Sequence, residues 1–168
     1  LDFRRVLFRS FGPRPEQAVI DLIVLHSISL PPGQYGGPEV EALFTHQLDW
    51  DSHPYFDTIR GLEVSAHFFI RRDGRLLQFV SVHDRAWHAG RSHYRGRDNC
   101  NDDSVGIELE GLEGETFEAA QYETLSGLCK ALMEHLPIAY IAKVSQKCSS
   151  GDVAEYRVGK RCPSASDS

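Results

Sequence analysis

The stretch that decides the fold is IDLIVLHSIS, which occupies residues 20–29 of the 168-residue chain. Residues 22–25 are all apolar and two of them are β-branched, a composition typical of a strand buried on both faces of a sheet. His26 ends this apolar run, and the turn-forming sequence LPPG follows at residues 30–33. An imidazole at the mouth of a buried strand sits on a rigid element and is reachable from a cleft, so His26 is a candidate metal ligand or general base. The alternative interpretation is a half-buried histidine whose ring makes an ordinary hydrogen bond.

The composition of the chain is that of a globular protein with one domain of ordinary size. Hydrophobic residues make up 41% and charged residues 25%, and the formal net charge is −6. We expect no nucleic-acid partner, because no broad basic surface is predicted, and no membrane partner, because no apolar stretch is long enough to span a bilayer. The four cysteines show no CxxC spacing, and the first ten residues show no signal-peptide pattern. These features predict a cytoplasmic protein in a reducing compartment, which we expect to be a monomer.

Apolar patterns along the rest of the chain predict a short series of strands and helices around this central strand. The expected elements are a helix over 39–46, a β-hairpin of strands 66–70 and 76–80 that turns at Asp73-Gly74, a strand over 104–111, a helix over 117–135 that Thr116 caps and Pro137 ends, and a strand over 138–142. This order predicts an α/β fold, a single domain with a mixed central β-sheet flanked by helices. Three arginines near the hairpin turn, Arg71, Arg72 and Arg75, could form a phosphate-binding patch, but we expect them to lie at an exposed end of the hairpin.

The strand over residues 104–111, SVGIELEG, alternates strictly between apolar and other residues. One face is apolar and the other carries Gly106, Glu108 and Glu110. Carboxylates in such a pattern usually face water, but a glycine beside Glu108 would leave space for a ligand. Alternation by itself does not choose between the two carboxylates.

Two polar segments could also carry chemistry. Residues 85–104 form a long predicted loop that contains RAWHAG at 85–90, and loops of this kind are often functional. The alternative is that Trp87 covers the hydrophobic core. Residues 47–63 carry several potential metal ligands in a turn-like context, which we interpret as a solvated loop; they are Asp49, Asp51, His53 and Asp57.

Several of these motifs resemble, in the same order, those of one known family. They are VLHSISLPPG at 24–33, GG at 36–37, ALF at 42–44, VSAHFFIRRDG at 64–74, RAWHAG at 85–90 and SVGIELEG at 104–111. The set resembles the AmpD-type amidases, cytoplasmic 1,6-anhydro-N-acetylmuramoyl-L-alanine amidases that are related to the peptidoglycan recognition proteins. The resemblance runs from about Arg14 to Ala142.

The resemblance implies a zinc-dependent N-acetylmuramoyl-L-alanine amidase that hydrolyses the lactyl–L-alanine amide of anhydro-muramyl peptides in peptidoglycan recycling. His26 matches the first zinc ligand of the family, and Glu108 matches the catalytic glutamate that activates the metal-bound water. The choice of this carboxylate over its neighbour rests on the family alone. Ala86, Trp87 and His88 match the loop that contacts sugar and peptide, with Trp87 as an apolar platform for a sugar ring.

The C-terminal part of the chain departs from the family pattern. A GHSD-like motif after the last strand supplies the second zinc histidine of the family, and a later RKxDPGP motif supplies a lysine and an aspartate ligand. Here KVS occupies residues 143–145, and no histidine follows His135. Stand-in ligands would have to come from Cys148, Asp152 or Cys162, in a different order.

We therefore expect the zinc site to be incomplete and hydrolysis by this chain to be impaired. The alternative function is a non-catalytic module that binds muramyl peptides, and a third interpretation makes the histidine and glutamate purely structural. The expected organisation is an extraneous or disordered N-terminus over 1–10, an amidase domain over 11–142, and a poorly ordered non-family tail over 143–168.

Overall fold

The computed structural model describes residues 10–143 and, as backbone only, three short strands outside that range. The strands are β1 (Phe3–Arg5), β2 (Phe11–Pro13), β3 (Leu22–Ile28), β4 (Phe68–Ile70), β5 (Leu76–Gln78), β6 (Asp84–Ala86), β7 (Ser92–Tyr94), β8 (Arg97–Asp98), β9 (Ser104–Glu110), β10 (Tyr140–Lys143), β11 (Ala154–Glu155) and β12 (Arg157–Val158). The helices are α1 (Glu39–Phe44), a 3-10 helix (Pro54–Ile59) and α2 (Ala119–His135). The predictions for residues 1–10 and 143–168 therefore fall largely outside the described residues.

A seven-stranded mixed sheet organises the molecule, in the order β1-β5-β4-β9-β3-β10-β12. The central strand β3 pairs in parallel with both β9 and β10, and β9 pairs in parallel with β4. Strand β5 is antiparallel to its hairpin partner β4 and parallel to the edge strand β1, and β12 at the other edge is antiparallel to β10. The predicted α/β fold with a mixed central sheet is confirmed. No helix in the described part of the chain is long and apolar enough to cross a membrane.

Strand β3 is buried on both faces, as its uninterrupted apolar run predicts. Ile23 packs into a cluster on the α2 side of the sheet, with Cys129 and Leu132 of that helix. Leu22 and Val24 pack into a different cluster on the opposite face. All three side chains are at most 1% exposed, and burial of a side chain of this size stabilises a fold by about 1.5–3 kcal/mol. His26 lies on the same strand, so its backbone is held in place by this packing.

Helix α2 begins two residues later than predicted, and its cap differs. The N-cap is Glu118, whose backbone N–H donates to Oε1 of Gln121 at 3.0 Å. The Gln121 side chain is fully buried and its amide donates to the carbonyl oxygens of Ile70 and Glu110. The prediction of Thr116 as the cap was wrong, because contacts between Gln121 and the sheet decide where the helix starts.

Arg71 is not at an exposed end of the hairpin, so that prediction was wrong for this residue. It is 4% exposed and forms an ion pair with Glu110 at 3.3 Å and a second one with Glu41 of α1. Its guanidinium also donates to the carbonyl oxygen of Gly37. Parallel pairing of β4 with β9 brings the arginine beside a carboxylate, a proximity that local sequence does not reveal. The prediction holds for Arg75, which is exposed.

The two polar segments contain more regular structure than predicted. The segment over 85–104 holds the short strands β7 and β8, which pair with each other, and the end of β6, which pairs with β2. The segment over 47–63 contains the 3-10 helix, whose start is capped by the His53 ring accepting from the Tyr55 N–H. Two of its aspartates, Asp51 and Asp57, bind the guanidinium of Arg60.

Candidate active site

His26 and Glu108 lie opposite each other on neighbouring parallel strands. The register of β3 and β9 pairs their Cα atoms, and residues paired in this way project to the same face of a sheet. Both side chains line one cleft of about 850 Å³. A cleft of this volume accommodates an organic ligand of drug-like size.

The cleft has an ionisable end and an apolar wall. His26 and Glu108 form the ionisable end. The wall is built from residues of α1, the 3-10 helix and the chain that follows it: Leu43, Tyr55, Ile59, Leu62 and Val64. The end of β3, the loop after it and the residues after β9 complete the lining, with Ser27, Ile28, Ser29, Leu30, Pro32, Gly111, Leu112 and Glu113. An extended ligand can therefore place a polar group at the histidine and glutamate while its apolar parts contact the wall.

Glu108 is a buried carboxyl group, only 7% exposed, and no described residue donates a hydrogen bond to it. Burial penalises the charged form and raises the pKa of Glu108 to about 8. A carboxyl group that exchanges its proton near neutral pH suits general acid–base chemistry, and perturbed groups in clefts are frequent in active sites.

Glu110 lies on the same face of β9 but in a different environment. Its Oε1 accepts from the Gly36 N–H at 2.6 Å, and its Oε2 accepts from the Arg72 N–H at 3.0 Å. Together with the ion pair to Arg71, these bonds occupy both oxygens of the carboxylate. The two carboxylates that alternation left equivalent are thus distinguished: one is held by donors, and the other faces the cleft.

His88 contacts His26 directly, an arrangement that the sequence does not predict. His26 Nε2 lies 3.0 Å from His88 Nδ1, and the two rings meet edge to face. The ring of His88 also covers Gly106, where an added Cβ would come within 2.3 Å of its Cγ. The space that the sequence suggested for a ligand at Gly106 is filled by His88, so that prediction was wrong.

None of the three residues of the predicted substrate loop, Ala86, Trp87 and His88, belongs to the lining of the cleft. Ala86 is fully buried in β6, and Trp87 is held through its backbone, which exchanges two hydrogen bonds with Ser65. The indole ring is partly buried and lies beneath the guanidinium of Arg85 at 4.4 Å. A contact of this loop with sugar or peptide stays a prediction.

His67 is a second buried histidine that sequence reasoning did not select. Its Nδ1 accepts from the Gly106 N–H at 2.9 Å, and its Nε2 lies 3.1 Å from the carbonyl oxygen of Asp84. A nitrogen that accepts from an amide carries no proton, so the ring is neutral with its proton on Nε2. Burial and the nearby Arg14 lower the pKa of His67 to about 3. The signal available in the sequence was a polar residue inside the apolar strand AHFFI.

Comparison with known proteins decides the family. The family model described as N-acetylmuramoyl-L-alanine amidase matches residues 16–165. The chain belongs to the N-acetylmuramoyl-L-alanine amidase family. It is 48% identical over 134 residues to the 1,6-anhydro-N-acetylmuramyl-L-alanine amidase AmpD of Escherichia coli K12. The matched residues make up 80% of this chain and 73% of that relative.

Solved amidase structures share the fold. A crystal structure of a Se-Met AmpD derivative superposes with a TM-score of 0.77 at 48% identity, covering 81% of this chain and 76% of the other. The amidase AmiD from E. coli, solved in complex with the substrate anhydro-N-acetylmuramic acid-L-Ala-D-gamma-Glu-L-Lys, superposes with a TM-score of 0.51 at 26% identity. That match covers 77% of this chain and 51% of AmiD.

The residues described in this amidase do not form a complete metal site. A tetrahedral zinc centre of a hydrolase uses about three protein ligands and a water. Within residues 10–143, no group of three or more His, Cys, Asp or Glu side chains is arranged to hold a metal ion. His26 is suited to be one ligand, since burial lowers its pKa to about 4 and keeps the ring neutral at pH 7. The described residues therefore include no complete set of metal ligands.

Proposed function

We propose that this chain is an amidase acting on the amide between the lactyl group of 1,6-anhydro-N-acetylmuramic acid and L-alanine, in the recycling of peptidoglycan. The observation that carries the proposal is the pairing of His26 with Glu108 at the end of a large cleft. A second line of support is the 48% identity to the E. coli enzyme named 1,6-anhydro-N-acetylmuramyl-L-alanine amidase AmpD. The AmiD complex adds support, because its ligand is an anhydro-muramyl peptide.

In this proposal Glu108 is the catalytic acid and base. Its carboxylate takes a proton from the water that attacks the amide carbonyl carbon, and the carboxylic acid then gives that proton to the departing amine of L-alanine. Burial raises the pKa of Glu108 to about 8, so the carboxylate that acts as the base is a minor fraction at pH 7 and its share grows as the pH approaches 8. The same raised pKa makes that carboxylate a stronger proton acceptor than an exposed one.

The substrate is proposed to lie along the apolar wall with its amide at the ionisable end. Of the loop residues Ala86, Trp87 and His88, Trp87 is the one we propose as a platform for a sugar ring, because its aromatic ring is partly exposed. Ala86 is fully buried and both ring nitrogens of His88 have protein partners, so these two are proposed to support the loop from inside.

Zinc is the metal we propose for this amidase, with His26 as one ligand. No catalytic step is derived through the metal, because the described residues lack a full ligand set and no histidine follows His135 in the sequence. The lack of a full ligand set supports weak zinc binding and impaired hydrolysis by this chain. It also supports the second candidate, a non-catalytic module that binds muramyl peptides. The form that we propose for the protein is a cytoplasmic monomer.

The test compares this chain with a restored variant whose residues after Lys143 are replaced by the corresponding segment of the E. coli relative. Zinc binding is measured by calorimetry, and hydrolysis of an anhydro-muramyl tripeptide is measured on the same samples. We expect weak zinc binding and near-background hydrolysis for the original chain, and tight binding with turnover for the restored one. Sub-micromolar zinc binding with turnover in the original chain would overturn the proposed impairment.

Glu108→Gln in the restored variant tests the proposed base. Loss of a general acid–base group typically lowers the rate by about 10²- to 10⁴-fold. Full activity in this variant would exclude Glu108 as the base. A restored chain that binds the peptide and zinc but does not hydrolyse the amide would refute the amidase and favour the binding module.

A further inference from the structure

We propose that His88 and Ser104 are positioning residues that hold His26 in a single tautomer, with its proton on Nε2 and an unprotonated Nδ1. The inference deepens the proposed function, on which its purpose rests, but the tautomer is a property of the protein alone. It follows from the direction of three consecutive hydrogen bonds, which lead from a backbone carbonyl to the histidine in the cleft.

The chain of hydrogen bonds starts at the carbonyl oxygen of Cys100. The hydroxyl of Ser104 is fully buried and lies 2.5 Å from this oxygen. A carbonyl oxygen only accepts, so the single hydroxyl proton of Ser104 is used in this bond. Toward any other neighbour, Ser104 Oγ must therefore be the acceptor.

That neighbour is His88, whose Nε2 lies 3.1 Å from Ser104 Oγ. Since the oxygen accepts, the ring nitrogen donates and carries a proton. The ring contacts the imidazoles of His26 and His67, and its two nitrogens face His26 and Ser104, so no described carboxylate accompanies it to stabilise a second proton. A neutral imidazole has one N–H, which leaves Nδ1 of His88 as an acceptor.

The last bond joins the two histidines. His88 Nδ1 lies 3.0 Å from His26 Nε2, and because the former accepts, the latter donates. His26 is neutral, and with its proton on Nε2 it has an unprotonated Nδ1. Its ring lines the cleft, so this nitrogen offers a lone pair for binding a cation or accepting a proton.

The positions of His88 and Ser104 are fixed by packing and by further hydrogen bonds. The side-chain oxygen of Asn101 accepts from the backbone N–H groups of His88 and Ala89, at 3.0 and 2.9 Å. Arg14 donates to the backbone oxygen of Ser104 at 2.8 Å. Gly106 allows the ring of His88 to lie against the sheet, where any Cβ would collide with it.

The test reads the tautomers directly by NMR, on metal-free protein labelled with ¹⁵N-histidine, at one pH near 7.5. Long-range ¹H–¹⁵N correlations distinguish a protonated ring nitrogen from an unprotonated one, and His26→Asn assigns the signals of His26. In the unchanged chain we expect a protonated Nε2 and an unprotonated Nδ1 for both His26 and His88. A protonated Nδ1 on His26 would overturn the proposal.

Ser104→Ala removes one oxygen and leaves the packing at Gly106 in place, so it is the main variant. Without the acceptor at Ser104, the two nitrogens of His26 should shift toward averaged values. Ser65→Ala is the matched control, since Ser65 is also fully buried and bonded to the same loop, at Trp87. It should leave the His26 signals unchanged.

A second pair of variants tests His88 itself. His88→Phe keeps a ring but lacks the nitrogen that accepts from His26. The NMR signal of the Nε2–H proton of His26 should therefore be lost through exchange with water. His88→Gln has an amide oxygen that can accept from His26 and should restore that signal. Unchanged His26 spectra in both Ser104→Ala and His88→Phe would refute the positioning role. Because these spectra need neither substrate nor metal, their outcome is separate from that of the hydrolysis assay.

Discussion

His26 and Glu108 are paired across the two central parallel strands, and burial moves their pKa values in opposite directions. The pKa of the imidazole is lowered to about 4 and that of the carboxyl group is raised to about 8, because both charged forms lose their hydration. At pH 7 the pair is consequently uncharged in the folded chain. A cleft that holds two neutral groups able to exchange protons is prepared for chemistry that creates charge in its transition state.

The first prediction concerns the pH dependence that Glu108 confers on stability. Its pKa is about 8 in the folded chain and near 4.5 when exposed, so the folded state holds a proton over this range that the unfolded state releases. The free energy of unfolding should fall as pH rises from 4.5 to 8. Glu108→Gln should therefore stabilise the chain at pH 9, by on the order of a few kcal/mol relative to its effect at pH 5. Urea unfolding at both pH values measures the difference, and equal effects at pH 5 and pH 9 would contradict the prediction.

The second prediction is that His67 stays neutral well below the ordinary titration range of histidine. Its pKa is lowered to about 3, mainly by burial and also by Arg14, and its Nδ1 accepts from a backbone amide. The unfolded chain binds a proton below about pH 6.5, so the contribution of His67 to stability is present above that pH and is lost as pH falls toward 3. NMR should show no titration of the ring between pH 8 and pH 5 in the folded protein. The urea-unfolded chain is the control and should titrate normally.

The third prediction concerns the buried ion pair of Arg71 with Glu110, whose side chains are 5% and 3% exposed. Arg71→Ala leaves a buried carboxylate without its cation, and breaking such a pair typically destabilises a protein by about 3–5 kcal/mol. Arg72→Ala is the matched control, because Arg72 and its partner Glu118 are 30% and 51% exposed. An exposed pair of that kind contributes at most about 1 kcal/mol. Similar losses for both variants in urea unfolding would contradict the prediction.

The fourth prediction concerns the contact between Gly106 and His88. Gly106→Ala places a methyl group within 2.3 Å of the imidazole, which must move away. We expect a loss of about 1–3 kcal/mol in the free energy of unfolding, as for other overpacked sites. The His26–His88 hydrogen bond should be lost as well, visible in the histidine NMR spectrum.

Gly127→Ala is the control for this substitution. Gly127 lies in α2 with no described atom within 4 Å of an added Cβ, so alanine should be neutral or stabilise the helix by up to about 1 kcal/mol. Equal effects of the two alanines would show that the Gly106 result reflects backbone freedom rather than the contact with His88.

Local periodicity accounts for the parts of the fold that were correctly predicted. The unbroken apolar run at 22–25 indicated a strand covered on both faces, and the alternation over 104–111 indicated its neighbour. The 3.6-residue spacing after Phe117 located α2 to within two residues. These signals depend only on residues close together in the chain.

The missed features all depend on contacts between distant segments. The burial of Arg71 requires β4 to lie beside β9, and the start of α2 depends on how Gln121 bonds to Ile70 and Glu110. The filling of the Gly106 space requires a ring that is 18 positions away in the sequence. No short-range pattern encodes these distances.

The sequence by itself determined the class of fold, the central strand and a histidine at its end, because strand and helix periodicities are properties of neighbouring residues. It also identified the family through motifs in a fixed order. Only the tertiary structure decided which carboxylate faces the cleft, which side chains form the apolar wall, and that the ring of His88 contacts the ring of His26. These depend on strand register and on the direction of buried hydrogen bonds, both of which are set when separate segments pack together.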